Sequence, residues 1–292
     1  MGQKDMAEKL LFDYNDVFAD IINGFIFEGE QRIKPEQLRE SKIRSQYKAN
    51  TDKIHEQERD ILKEWTSSRV CIAICGIENQ TEPDKYMPLR ILNYDGVSYR
   101  SQLLEKRKTI SPVVTIVLYL GTEKRWGSVK KLKDILSIPK GMEKYVNDYK
   151  VNIFEVAWMD EKDLSRFKSD FRIFANILIK KRKNKNYVPD DQTELKHFDE
   201  VLKLLKVVTD DKNVEQMLEI PKKKRKGVKS MFVGLQKLID KTEAKGIAEG
   251  KADGMFSLVS KGIIPATVGA EELGVSVRKF KSDMKKKGYT CP

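Results

Sequence analysis

Val70-Cys71-Ile72-Ala73-Ile74-Cys75-Gly76-Ile77-Glu78-Asn79-Gln80 decides how this chain reads. An apolar, β-branched run of this length predicts a buried strand. It ends on an acid, then a polar residue one position beyond. Side chains alternate along a strand, so Glu78 and Gln80 are expected on one face with Val70, Ile72 and Ile74. Asp60–Trp65 reads as a partner strand, turning through Thr66-Ser67-Ser68-Arg69. An antiparallel hairpin would carry Asp60 to the face of Glu78. Two carboxylates and a backbone carbonyl would then converge, the hard oxygen donors that Mg²⁺ prefers.

Working outward, Lys9–Phe27 has apolar residues at helical spacing, with Asp13, Asp16 and Asp20 interleaved. Pro35–Lys53 is polar and reads as a loop with a short helix. Tyr86–Asp95 reads as a helix or turn. Asp95-Gly96 is a turn signal, and Tyr99–Lys108 reads as a strand or edge segment. Pro112–Leu120 and Val151–Trp158 read as strands. Asp160–Lys183 predicts an amphipathic helix. Asp191–Val208, Asn213–Glu219 and much of the chain from Val228 onward follow as helices. The fold class is therefore α/β, followed by a helical C-terminal region.

The 292 residues carry a formal charge of +12, unevenly placed. From Pro221 to Pro292 there are 17 Lys and Arg against 7 Asp and Glu. A nearly neutral body with a basic tail suits an anionic partner, most commonly nucleic acid. Cys71, Cys75 and Cys291 form no disulfide framework, which fits a reducing cytosol and a cytoplasmic location. Two histidines and three cysteines argue against a zinc site. No apolar run approaches the roughly 20 residues of a membrane helix, so no membrane partner is expected.

Three groups of residues now stand in order: Arg59-Asp60-Ile61-Leu62, Gly76-Ile77-Glu78-Asn79-Gln80-Thr81, and Met87-Pro88-Leu89-Arg90-Ile91-Leu92 with Tyr94. Together with Asp16-Val17-Phe18-Ala19-Asp20 they resemble the Rpn-type recombination-promoting nucleases, transposase-like members of the PD-(D/E)XK superfamily. The resemblance covers about residues 5–255. It implies a restriction-endonuclease-like core, a mixed sheet flanked by helices, that cuts DNA with Mg²⁺ or another divalent cation. It implies Asp60 and Glu78 as metal-binding acids, with the carbonyl of Asn79 as third ligand. Gln80 stands where the fold usually has Lys. Gln orients water but cannot act as acid or base, so water activation would fall more heavily on the ion. Asp16 is the choice for a first-helix acid, with Asp13 and Asp20 as competitors. Arg90 would hold a phosphate bidentately. The alternative is a nuclease-fold protein that binds DNA without cutting it.

The resulting division is 1–220 for the nuclease-like domain and its trailing helices, 221–264 for a basic linker and Gly-rich helix, and 265–292 for a helix-turn-helix-like tail. Lys222, Lys223, Lys224 and Arg225 in the linker, with Arg278 and Lys279 in the tail, are candidate phosphate contacts. Gly246, Gly250 and Gly254 form a strip on a helix, at about 1 kcal/mol each relative to Ala. Self-association into a homo-oligomer would offset that cost, and a flexible linker is the other reading.

Overall fold

A computed structural model describes residues 11–41, 45–48, 54–57, 61–67, 70–127, 129–209, 211–219 and 230–290. The elements run α1 (Asn15–Ile26), β1 (Leu38–Glu40), β2 (Ser45–Lys48), β3 (Ile54–Gln57), β4 (Ile61–Ser67), β5 (Val70–Gln80), α2 (Met87–Leu104), β6 (Val113–Tyr119), β7 (Asn152–Glu155), α3 (Asp170–Lys183), α4 (Phe198–Thr209), α5 (Lys212–Glu219), α6 (Met231–Ser260), α7 (Ala266–Glu272) and α8 (Val277–Lys286). The chain forms two compact units, Met1–Phe232 and Val233–Pro292.

In the first unit a five-stranded mixed sheet runs β1-β4-β5-β6-β7, and β2 pairs with β3 separately. β4 and β5 form the expected antiparallel hairpin, with Ile61 opposite Ile77 and Ser67 opposite Val70. The register shifts between Trp65 and Thr66, which face Ala73 and Cys71. Ile72 is thus the extra residue of a bulge, and the strict alternation expected along the whole strand holds only from Ala73 onward. β6 and β7 join in parallel, with Glu78 level with Val117 and Gln80 level with Tyr119.

Each face of the sheet has its own cover. Val117 and Tyr119 pack with Met87, Ile91 and Tyr94 of α2. The opposite face meets α1 and α3: Phe25 stacks on Phe154 of β7 at 4.3 Å, and Phe12, Phe171 and Phe174 cluster edge to face. Parallel neighbours point the same way, so Glu78 and Gln80 face α2 while Asn79 faces α1.

Several elements depart from expectation. The first helix is interrupted at Asp13 and Tyr14. There Asp13 bonds the buried Lys63 at 2.8 Å and the Tyr14 ring stacks on His197 at 3.7 Å. Asp95-Gly96 is no turn and Tyr99–Lys108 no strand, because α2 runs unbroken through Leu104. Its buried face carries Asp95, Ser98 and Gln102, which bond Thr115, the Tyr94 carbonyl and Ser111. The segment after Asp160 is a 3-10 turn, and α3 begins only at Asp170, where the Ser169 hydroxyl accepts from the Phe171 N–H. Residues 191–195 are not helical, so α4 starts at Phe198. The stretch expected to be a loop contains β1 and β2.

The second unit has its own core of Phe256, Val259, Ala270, Phe280 and Met284, drawn from α6, α7 and α8. Between α7 and α8 Gly274 takes φ +62°, and the Ser276 hydroxyl caps α8 by accepting from the Lys279 N–H. A Cβ on Gly269 would lie 2.7 Å from the Phe280 ring, so glycine lets these two helices close. Gly246, Gly250 and Gly254 are exposed, and a Cβ at any of them would meet nothing within 4 Å.

Candidate active site

β5 delivers the Glu78 side chain to the end of the sheet, where it is 1% exposed. The carboxylate forms an ion pair with Arg90, one turn into α2. Asp84 holds the same guanidinium at 3.2 Å, and the Tyr94 hydroxyl lies 3.4 Å from it. Asp84 also accepts the Tyr86 N–H at 2.8 Å, which fixes the loop entering α2. Burial alone would lower the Arg90 pKa, but Glu78, Tyr94 and Asp84 together raise it above its ordinary value. Arg90 therefore stays charged. The Gln80 side-chain amide donates to Glu78 at 3.5 Å, a long contact, while the Gln80 backbone carbonyl accepts the Leu120 N–H.

The first-helix acids Asp13, Asp16 and Asp20 have their contacts elsewhere. Asp60 is outside the described residues; its chain neighbour Ile61 pairs with Ile77, the neighbour of Glu78. Asp16 bonds Lys196 at 2.7 Å and His197 at 3.1 Å. Burial would raise its pKa, but these two partners pull it below the usual carboxylate range. Asp20 accepts the backbone N–H groups of Lys168 and Ser169 and the Ser169 hydroxyl, so it holds the start of α3. The contacts of Asp13, Asp16 and Asp20 thus run to Lys63, to the 196–197 segment and to α3, and not to Glu78. Asn79 is buried. Among the described residues no group of three or more His, Cys, Asp or Glu gathers as metal ligands.

Arg278 and Lys279 are exposed on α8, together with Lys281, Lys285 and Lys286. Lys222, Lys223, Lys224 and Arg225 are outside the described residues. Sequence reasoning missed Asp84 and Tyr94 as partners of Arg90. Tyr94 was within reach, since it follows Arg90 by four residues and a helix places such residues side by side. Asp84 precedes the helix and carried no periodic signal.

A mixed sheet with its acid at a strand end, faced by an arginine-bearing helix, can now be set beside known families. Residues 61–215, just over half of the chain, match the family described as "Putative transposase, YhgA-like". The chain belongs to this family. The match takes in β4, β5, α2 and the sheet through α4, and so spans Glu78, Gln80 and Arg90. No curated protein and no solved structure matches the chain. Among the described residues no helix is long and apolar enough to cross a membrane.

Proposed function

We propose that this member of the YhgA-like family is a divalent-metal-dependent DNA endonuclease that hydrolyses phosphodiester bonds in recombination or mobile-element chemistry. The observation that carries the reading is Glu78, a buried carboxylate at the end of the central strand that has drawn in a cation, Arg90. Such a site suits a hard divalent ion. Asp60, Glu78 and the Asn79 carbonyl would hold Mg²⁺ or a similar ion, which when bound supplies Lewis acidity at the phosphate and lowers the pKa of water.

The chain's own residues have distinct tasks in this reading. Gln80, beside Glu78 on the same face, orients a water by hydrogen bonding. Having no titratable group, it neither takes nor gives a proton. Arg90 balances the Glu78 charge in the free protein; its Nη groups are held by Asp84, Glu78 and Tyr94, and it would have to leave them to hold a phosphate bidentately. The basic face of α8 adds sequence-independent phosphate contacts. The test is incubation of the full chain with supercoiled plasmid in Mg²⁺ and in EDTA. Nicked or linear product in Mg²⁺ alone is expected; intact plasmid at every divalent concentration refutes the reading.

One observation favours a second reading. Gln80 brings no charge where the fold usually has Lys. A protein that binds DNA through this fold without cutting it would tolerate that change.

A further inference from the structure

The C-terminal ends of β5 and β6 open onto a groove of about 950 Å³, lined among others by Thr81, Gly121, Trp158, Arg182 and Tyr187. Thr81 follows Gln80 directly, and Tyr119, another wall residue, is level with Gln80 in the sheet. The groove therefore begins where the Glu78-bearing strand ends.

Its charges sort into pairs with a remainder. Lys124 meets Glu82 at 2.9 Å, Lys185 meets Glu123 at 3.1 Å, and Lys181 pairs with Asp211. One guanidinium of the lining is left over, Arg182, and a second, Arg125, lies beside the groove, next in the chain to the wall residue Lys124. Arg182 donates through Nε to the Ala157 carbonyl at 2.7 Å and lies 4.3 Å from the Trp158 ring centroid. Arg125 lies 5.1 Å from the same centroid. The ring is fixed in turn, since Trp158 Nε1 donates to the Gly121 carbonyl at 3.0 Å. Among the described residues neither arginine has a carboxylate partner. Packing on an aromatic face accounts for one cation on this ring. A second, with no counter-charge, adds like-charge repulsion that an anion would relieve. Arg182 spends one N–H on Ala157, and its Nη groups remain for a ligand in a fixed orientation.

We propose that this groove holds the sugar-phosphate backbone of a nucleic acid strand, with Arg182 gripping a phosphate from the groove wall and Arg125 another beside Trp158. The proposal rests on the DNA-cleavage reading for its choice of polyanion. A strand lying here is delivered to the end of β5, and because the contacts are to backbone the grip is independent of base sequence. Both arginines are positioning residues, and a planar fork suits phosphate better than an ammonium does.

The experiment uses the full chain, a fluorescent duplex and EDTA, so that binding is read without cleavage. Arg182→Gln and the exposed Arg125→Gln are each expected to weaken binding by about tenfold at low salt. Each should reduce the slope of log K against log salt by about 0.9, one phosphate contact. Arg182→Lys should recover only part of the affinity. Melting temperatures of the Arg125 variant should match the wild type. Unchanged affinity and slope in both Gln variants overturn the proposal, even if the wild type cuts plasmid. Effective competition by ATP or inorganic phosphate also overturns it, by making the groove a small-anion site. Loss of affinity in a protein that never cuts DNA refutes the nuclease reading and leaves this one standing.

Discussion

Replacing Arg90 by Met removes the guanidinium from a carboxylate that is 1% exposed. Stripping one partner from a buried pair costs about 3–5 kcal/mol, because the other charge stays behind without compensation. The Arg90 side chain is 32% exposed, so water reaches one edge of the pair and the lower end, about 3 kcal/mol, applies. For a unit of this size that corresponds to a fall in melting temperature of about 6–12 °C. Glu78→Gln in the same background removes the stranded charge, so the double variant should recover most of the loss. The assay is a four-member cycle of thermal melts in EDTA: wild type, Arg90→Met, Glu78→Gln and the double. If the site takes a divalent ion, Mg²⁺ should raise the melting point of Arg90→Met more than that of wild type, since the ion then replaces a missing charge. An Arg90→Met protein melting within about 2 °C of wild type, where roughly 1 kcal/mol or less is lost, would show that the pair carries little energy. A double variant no more stable than Arg90→Met would refute the coupling.

Other expectations follow from the same geometry. Gln80→Ala should slow cleavage at least tenfold, about 1.4 kcal/mol of barrier, with Gln80→Lys retaining activity at a similar or reduced level; both are read from initial rates on plasmid. Asp20→Ala should lower stability by about 2–3 kcal/mol, because it strands two backbone N–H groups and a hydroxyl at the start of α3; denaturant melts measure this, and divalent-ion affinity should not change. Replacing exposed Arg278 and Lys279 together by Gln should weaken duplex binding and reduce the salt slope by about 0.9 per contact, with no change in the melting of a core built on Phe256 and Phe280.

The hairpin was legible because Val70–Gln80 is a long apolar run and its partner ends in polar turn residues. The α3 start was legible in principle from Ser169, although continuous apolar spacing from Leu164 onward hid it. The bulge at Ile72 was not, since an extra residue in a uniformly apolar strand leaves no mark on the pattern. α2 was misread for a different reason. Asp95, Ser98 and Gln102 sit on its buried face; Asp95 accepts from Thr115 of β6 and from the distant Tyr149, Gln102 bonds Ser111, and Ser98 bonds the Tyr94 carbonyl one turn back. Buried polar residues with distant partners look like surface in a sequence. β2 and β3 are short and polar, and among the described residues they pair with each other alone. At the site, Glu78 and Gln80 could be named from their place after the run. The engagement of Arg90 by Glu78 could not, because it depends on α2 crossing the end of β5.

The central claim is that Glu78 is the acid on which cleavage depends. Its most direct test is the rate of plasmid cleavage in Mg²⁺ by Glu78→Gln beside wild type, at equal DNA occupancy checked by anisotropy. The Gln side chain keeps the shape of the carboxylate and loses its charge. The account predicts that DNA binding is retained while cleavage falls to the level seen in EDTA. Cleavage by Glu78→Gln at the wild-type rate would contradict it.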